Sequence, residues 1–464
     1  MNEKYIQKLE FNKILEILAD FCITYIGKNL ANNLMPQNNK DLVSLILRET
    51  SEAVTLIYKK HSPNFISIVD ITHITKILES NSILSTKALL DVSKILKLSN
   101  NLKNYFYEDN KASIDSFPIL AQCFSNLYTN LSVQETIEKS IIDEFTVSDN
   151  ASTGLSSIRR KQRKLEETIK DRLNSFIHSS NYSKYIQENL ITIRNDRYVI
   201  PVKEEYRSMI NGFIHDFSSS GSTVFIEPMN IFELNNEIAT LKAEEAKEIE
   251  KILSNLTGLL YPIIEEIKNT VELIGKLDFI FAKATYAIRT KAIEPKINDK
   301  KFINLINARH PLIDDALVVP ININIGISFS SLVITGPNTG GKTVSLKTVG
   351  LLTLMACSGL HIPADEHSSI YVFDNVYADI GDEQSIKDSL STFSSHMCNI
   401  IEMLNVSTSE SLILLDELCT GTDPIEGSSL AISILEAFYS KGLLTIATTH
   451  YSEIKNYALV TQRF

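Results

Sequence analysis

The run Gly336-Pro337-Asn338-Thr339-Gly340-Gly341-Lys342-Thr343 has the residue types and spacing of a phosphate-binding turn. It follows the apolar stretch Leu332-Val333-Ile334 and precedes a helical pattern through Leu346, Val349, Leu352 and Leu354. Glycines at such a turn let backbone N–H groups converge on an anion, and the following helix N-terminus adds partial positive charge. Lys342 is placed to neutralise the outer phosphates, and the Thr343 hydroxyl is a candidate Mg²⁺ ligand. A chance glycine turn would lack the strand before it and the helix after it. Gly336 through Thr343 are therefore assigned to a nucleoside triphosphate, with ATP and Mg²⁺ as the expected cofactors.

A second chemical feature is Leu412-Ile413-Leu414-Leu415-Asp416-Glu417, an apolar strand ending in two carboxylates. Beyond a phosphate-binding turn this is where a Mg²⁺-holding aspartate belongs, and Asp416 takes that role. Glu417 is the candidate to orient and deprotonate an attacking water. A third apolar run, Leu444-Thr445-Ile446-Ala447, leads into Thr448-Thr449-His450 and puts an imidazole where ligands of α/β folds collect. His450 is the candidate γ-phosphate sensor, although a lone histidine after a strand is more often structural. Between these motifs, Gln384 is a candidate to sense Mg²⁺ or water. Ser391-Thr392-Phe393-Ser394-Ser395-His396-Met397 occupies the place of a signature segment, and Gly421-Thr422-Asp423-Pro424 that of a loop facing a second subunit.

These residues need elements to hold them. At 464 residues the chain is too long for one core, so several domains are expected. Apolar residues in one helical stripe (Phe11, Ile14, Leu15, Leu18, Cys22) open a series of helical patterns, including residues 42–58 and 89–102. An α-helical core domain over residues 1–150 is the expectation. Residues 158–177 form a charged helix with few apolar positions. A solvated coiled-coil arm accounts for it; the alternative is a phosphate-contacting surface through Arg159, Arg160, Lys161, Arg163 and Lys164. The period then shifts toward two. Ile191-Thr192-Ile193-Arg194 and Tyr198-Val199-Ile200 flank Asn195-Asp196, the pattern of a hairpin turn inside a β-rich head over about 189–228. A long helical pattern returns through Ile252, Leu256, Leu260, Ile263, Ile267, Val271 and Ile274, with Gly258 and Pro262 expected to kink it. Lever helices with a β-rich clamp (151–290) and an α/β ATPase domain (300–464) complete the expected organisation.

The net charge of −11 argues against a uniformly basic nucleic-acid binder but leaves room for a local basic patch. The five cysteines share no metal or disulfide spacing, and no apolar run approaches membrane-spanning length. A cytoplasmic location with no membrane partner is expected.

Ala308-Arg309-His310-Pro311-Leu312, the phosphate turn with Pro337-Asn338, and Asp379-Ile380-Gly381-Asp382-Glu383-Gln384-Ser385 together resemble the MutS family. Leu390 through Met397 and Asp416-Glu417-Leu418 are similar to its second bacterial type, the paralogue tied to recombination suppression and ribosome-collision rescue. The resemblance implies a multidomain chain: an α-helical core and lever, a small β-rich clamp insertion, then a P-loop ATPase domain of ABC type. It implies a homodimeric ATP hydrolase in which Ser391 reaches the partner's nucleotide in trans. The implied partners are branched or double-stranded DNA, a collided ribosome, or both, with Arg309 and His310 near the nucleotide. Cys419 stands where the family usually has glycine, a substitution tolerated unless positive φ is required. The chain ends at Phe464, soon after His450, so the ATPase domain is expected to be C-terminally incomplete and nuclease activity is not expected. A non-hydrolysing ATP-binding fragment is one alternative. Another is an ABC-type chromosome-associated ATPase, which predicts a Leu-Ser-Gly-Gly-Gln type of signature that this sequence lacks.

Overall fold

The sequence pattern that organises the site is a set of short apolar strands, each ending in polar residues. In the computed structural model, which describes residues 3–108, 115–337, 340–381, 392–420 and 422–461, these strands line up in one sheet. Its order is Asn375–Asp379, Ser411–Leu415, Leu444–Thr449, Ser331–Thr335, with every pairing parallel. Asp379 pairs with Leu415, Leu415 with Ala447, and Thr449 with Thr335. Parallel register brings all four carboxyl ends to a single edge, the edge at which open α/β sheets bind ligands.

The described chain forms two compact units. One comprises Met1–Ile68, Asn101–Leu127 and Asn269–Phe464; the other comprises Val69–Asn100 and Tyr128–Lys268. In the first unit a single apolar core joins the parallel sheet to the helix Lys342–Cys357, to a second, mixed sheet, and to the N-terminal helices Glu3–Lys8 and Phe11–Phe21. Phe11, Ile14 and Leu18 form the buried stripe of the second of these helices, as their spacing requires. Close approach is obligatory at Gly350, where a Cβ would stand 2.6 Å from both Leu9 and Leu414 side chains. The mixed sheet has the order Lys296–Asn298, Ser369–Tyr371, Ile303–Ala308, Ile321–Ile325.

In the second unit, the helices Thr153–Ile177 and Met229–Gly258 run antiparallel. Ser152 meets Glu248, Arg159 meets Glu245, and Arg172 meets the Asn230 carbonyl, so contacts advance on one helix as they retreat on the other. Ser152 caps the first helix by accepting from the Leu155 N–H. Its thin apolar seam of Ile169, Leu173 and Ile177 packs on a four-stranded antiparallel sheet spanning residues 192–228. The hairpin turn falls at Asn195 and Asp196, both at positive φ, with Arg194 opposite Arg197.

One expectation is corrected. The pattern through Gly258 and Pro262 is two helices instead of one kinked helix: the first stops at Gly258, a short 3₁₀ turn covers Tyr261–Ile263, and a new helix runs Ile264–Arg289. Proline has no N–H to give the preceding turn, and its ring crowds the carbonyl four residues back, so the helix is reset there. The buried face survives the break through Leu256, Leu260, Ile267, Val271 and Ile274.

Candidate functional site

The strand Ser331–Thr335 delivers the glycine turn, and Lys342 opens the helix Lys342–Cys357 with Gly341 at its N-cap. Gly336 has φ 151° and Gly341 φ 75°, and among the described residues a Cβ at either would meet nothing within 4 Å. Backbone at this turn is thus uncovered, with the helix N-terminus behind it, which suits an anion. Lys342 is nearly buried; its ammonium donates to the Gly336 carbonyl at 2.6 Å and lies 3.2 Å from His450 Nε2. His450 Nε2 is in turn 3.5 Å from Glu417 Oε1. Lysine, histidine and glutamate from three different sequence motifs therefore form one chain of contacts.

The carboxylates are positioned by Thr448, a fully buried residue at the end of the Leu444–Thr449 strand. Its hydroxyl donates to Asp416 Oδ1 at 2.6 Å and accepts from the Glu417 N–H at 2.8 Å. The Asp416 N–H donates to the Asp379 carbonyl at 2.8 Å, and the Leu418 N–H to the Thr448 carbonyl at 3.0 Å. Glu417 takes φ 47° and Cys419 φ 60°, left-handed conformations that a Cβ makes costly by about 1 kcal/mol or more each. Asp416 and Glu417 directly follow the strand Ser411–Leu415. Cys419 is buried, which pushes its thiol up to about 12. The positive φ explains why glycine would be natural at position 419.

Thr343, Asp379, His396, Asp416 and Glu417 line one cavity of about 280 Å³. Sequence reasoning assigned no role to two of these residues. Asp379, at the end of its own strand and almost fully buried, accepts from His396 Nδ1 at 2.6 Å and from Asn399 Nδ2 at 3.0 Å. Lys8 of the N-terminal helix pairs with it at 3.5 Å, and Lys4 donates to Asn399 Oδ1 at 2.8 Å. The strand-end position of Asp379, matching that of Asp416, was the signal available in the sequence.

Other expected residues lie elsewhere. Asn338, Thr339, Gln384, Ser391 and Gly421 fall outside the described residues. Arg309 donates to the Thr290 and Lys291 carbonyls just past the helix Ile264–Arg289, and His310 is buried; neither lines the cavity. In the other unit, the Arg159 guanidinium is engaged by Glu245 at 2.7 Å, Asp149 at 2.6 Å and the Val147 carbonyl at 2.8 Å. Arg163 shares Asp149, and Arg160, Lys161 and Lys164 point outward as exposed cations.

Residues 332–463 match the family profile of MutS domain V. Proteins named Endonuclease MutS2 align along the whole chain: that of Acetivibrio thermocellus is 49% identical over 462 residues, covering 100% of this chain and 58% of the relative. That of Clostridioides difficile is 46% identical over 459 residues, 99% of this chain and 58% of the relative. The chain is similar along its whole length to these MutS2 proteins, and its residues 332–463 are similar to MutS domain V. It spans 58% of the length of these curated relatives. The domain V match begins inside the Ser331–Thr335 strand and ends beyond His450, so the MutS profile contains every motif that converges on the cavity. Asp379 and Asp416, which line the cavity, and His450, which contacts Lys342 and Glu417, all fall at positions matched to MutS domain V.

Proposed function

We propose that this chain binds ATP with Mg²⁺ at the carboxyl edge of its parallel sheet and hydrolyses it, as a P-loop ATPase of ABC type acting on nucleic acid. The observation that carries this reading is the convergence of Lys342, Thr343, Asp416, Glu417 and His450, from three separate motifs, on one sheet edge. The residues fit the ligands. The uncovered glycine backbone at 336 and 341 admits a close anion, and Thr343 and Asp416 give a hard cation oxygen donors in the same cavity. When bound there, Mg²⁺ would neutralise developing phosphate charge. Lys342 holds the outer phosphates and Glu417 takes a proton from the attacking water. His450, within reach of both Lys342 and Glu417, reports the phosphate to the base. Ser391 from a second subunit and Gln384 complete the site in this proposal, which therefore requires a homodimer.

The exposed cations Arg160, Lys161 and Lys164 are the proposed phosphate contacts of the arm, and the 192–228 sheet the proposed clamp. DNA, branched or double-stranded, and the collided ribosome are the proposed partners. Phosphate release measured with Mg²⁺-ATP tests the ATPase; Glu417→Gln should retain nucleotide and lose turnover. Gel shift with branched DNA and co-sedimentation with ribosomes, each with and without ATP, then separate the two polyanions. Turnover equal in wild type and Glu417→Gln would remove Glu417 as the base.

A further inference from the structure

Away from the sheet edge, the first unit contains an open cavity of about 910 Å³ between the helices Tyr25–Asn32, Lys40–Lys60 and residues 269–283 of the helix Ile264–Arg289. Its size is that of a small-molecule pocket, roughly 300–1,000 Å³. Apolar side chains make most of the wall, including Leu34, Leu42, Leu273, Phe279 and Ile280. Leu30, Met35 and Leu42 are 38–40% exposed, a cluster of large apolar groups in water at one place.

Into this lining comes Lys283, only 3% exposed. Its ammonium lies 5.2 Å from the Phe279 ring centroid, and among the described residues it donates no hydrogen bond and forms no ion pair. The carboxylate nearest in effect, Glu49, is taken by Lys276 at 2.8 Å. Glu272 is an exposed residue of the lining, and the neighbouring His361 is held neutral by burial. Burial depresses the Lys283 ammonium to about 8, so at neutral pH it is still mostly charged. A buried cation whose one contact is an aromatic face still lacks a counter-charge, which is unfavourable, and an anion entering the cavity would supply it.

We propose that this cavity is a binding site for an amphiphilic monocarboxylate, whose carboxylate pairs with Lys283 and whose apolar body covers Leu34, Leu42, Leu273 and Ile280. Lys276 is paired with Glu49, so Lys283 is the lining cation without an ion pair among the described residues, and with Leu34, Leu42, Leu273 and Ile280 beside it the site matches one negative charge on an apolar body; a polyphosphate or a sugar would leave polar groups against leucine. The site is separate from the sheet edge and independent of the ATPase reading.

The test is titration calorimetry of the full chain with decanoate, 1-decanol and decylamine, using wild type, Lys283→Met and Leu42→Trp. Wild type should bind decanoate at least tenfold tighter than decanol, with decylamine weakest. Lys283→Met should abolish the preference for carboxylate over alcohol while keeping the alcohol affinity, and its unfolding midpoint should rise because a buried unpaired charge is gone. Leu42→Trp, at a 40% exposed position, should fill the cavity and weaken both ligands. Equal binding of decanoate and decanol to wild type overturns the proposal. So does an undiminished carboxylate preference in Lys283→Met, or no saturable decanoate binding below its micelle concentration.

Discussion

Thr448→Val is nearly isosteric and removes one hydroxyl from the centre of the site. That hydroxyl donates to the Asp416 carboxylate at 2.6 Å and accepts the Glu417 N–H at 2.8 Å. A hydrogen bond to a charged group contributes about 1.5–3 kcal/mol, and a donor left unsatisfied costs about 1–3 kcal/mol. Both carboxylates keep some solvent access, so the lower ends apply and the sum is roughly 2–3 kcal/mol. For a unit of this size each kcal/mol moves the unfolding midpoint by about 2–4 °C, so a fall of roughly 5–10 °C is expected. The chemical effect is separate. Glu417 sits at φ 47° and is held there by Thr448, so releasing it should lower turnover by more than the change in nucleotide affinity. Thermal unfolding by circular dichroism and phosphate release at saturating ATP measure the two effects, with Thr448→Ser as the control that keeps the hydroxyl. A Val variant with wild-type midpoint and turnover, or a Ser variant as impaired as Val, would refute the positioning role.

Further outcomes can be checked on other residues. Cys419→Val should destabilise by roughly 2 kcal/mol because a β-branched side chain is poorly accommodated at φ 60°, whereas Cys419→Gly should stay within about 1 kcal/mol of wild type in urea titrations. Arg159→Ala should cost about 2 kcal/mol of stability, since three acceptors lose their donor. It should leave the salt dependence of nucleic-acid binding intact, while the exposed Arg160, Lys161 and Lys164 should flatten that slope by about one per cation removed. His361 is held down to about 4 by burial, so the unfolded chain takes up its proton first as pH falls below about 6.5. Its contribution to stability is lost on acidification, by at most roughly 3 kcal/mol near pH 4, and His361→Gln should lose less stability than wild type over that interval. Parallel pH curves for the two proteins would contradict the sign.

What could be read from the sequence was local. The strand–glycine–helix turn, the apolar strand ending in Asp416-Glu417 and the Asn195-Asp196 hairpin each announce themselves within about ten residues through turn chemistry and periodicity. The parts that escaped depend on distant partners. Lys4 and Asn399 are 395 positions apart, and nothing in the helical stripe of the first residues tells that Lys8 reaches a carboxylate at residue 379. Packing of Leu9 against Gly350 is of the same kind. Thr448 escaped because a threonine in a buried strand is ordinary until its hydroxyl is seen between two carboxyl-bearing residues. The Arg159 side chain reads as surface charge in a charged helix, yet Glu245 and Asp149 absorb it. The strain at Cys419 was conditional on a φ value that only the fold supplies.

Gly336 through Thr343 and the Asp416–Glu417 edge are proposed to form one nucleotide site. Equilibrium titration of a fluorescent ATP analogue with Mg²⁺ against wild type, Lys342→Ala and Glu417→Gln tests it most directly. Wild type and Glu417→Gln should bind saturably, and Lys342→Ala, which removes the lysine at the turn, should lose at least tenfold in affinity. Equal affinity of Lys342→Ala and wild type for the nucleotide would contradict it.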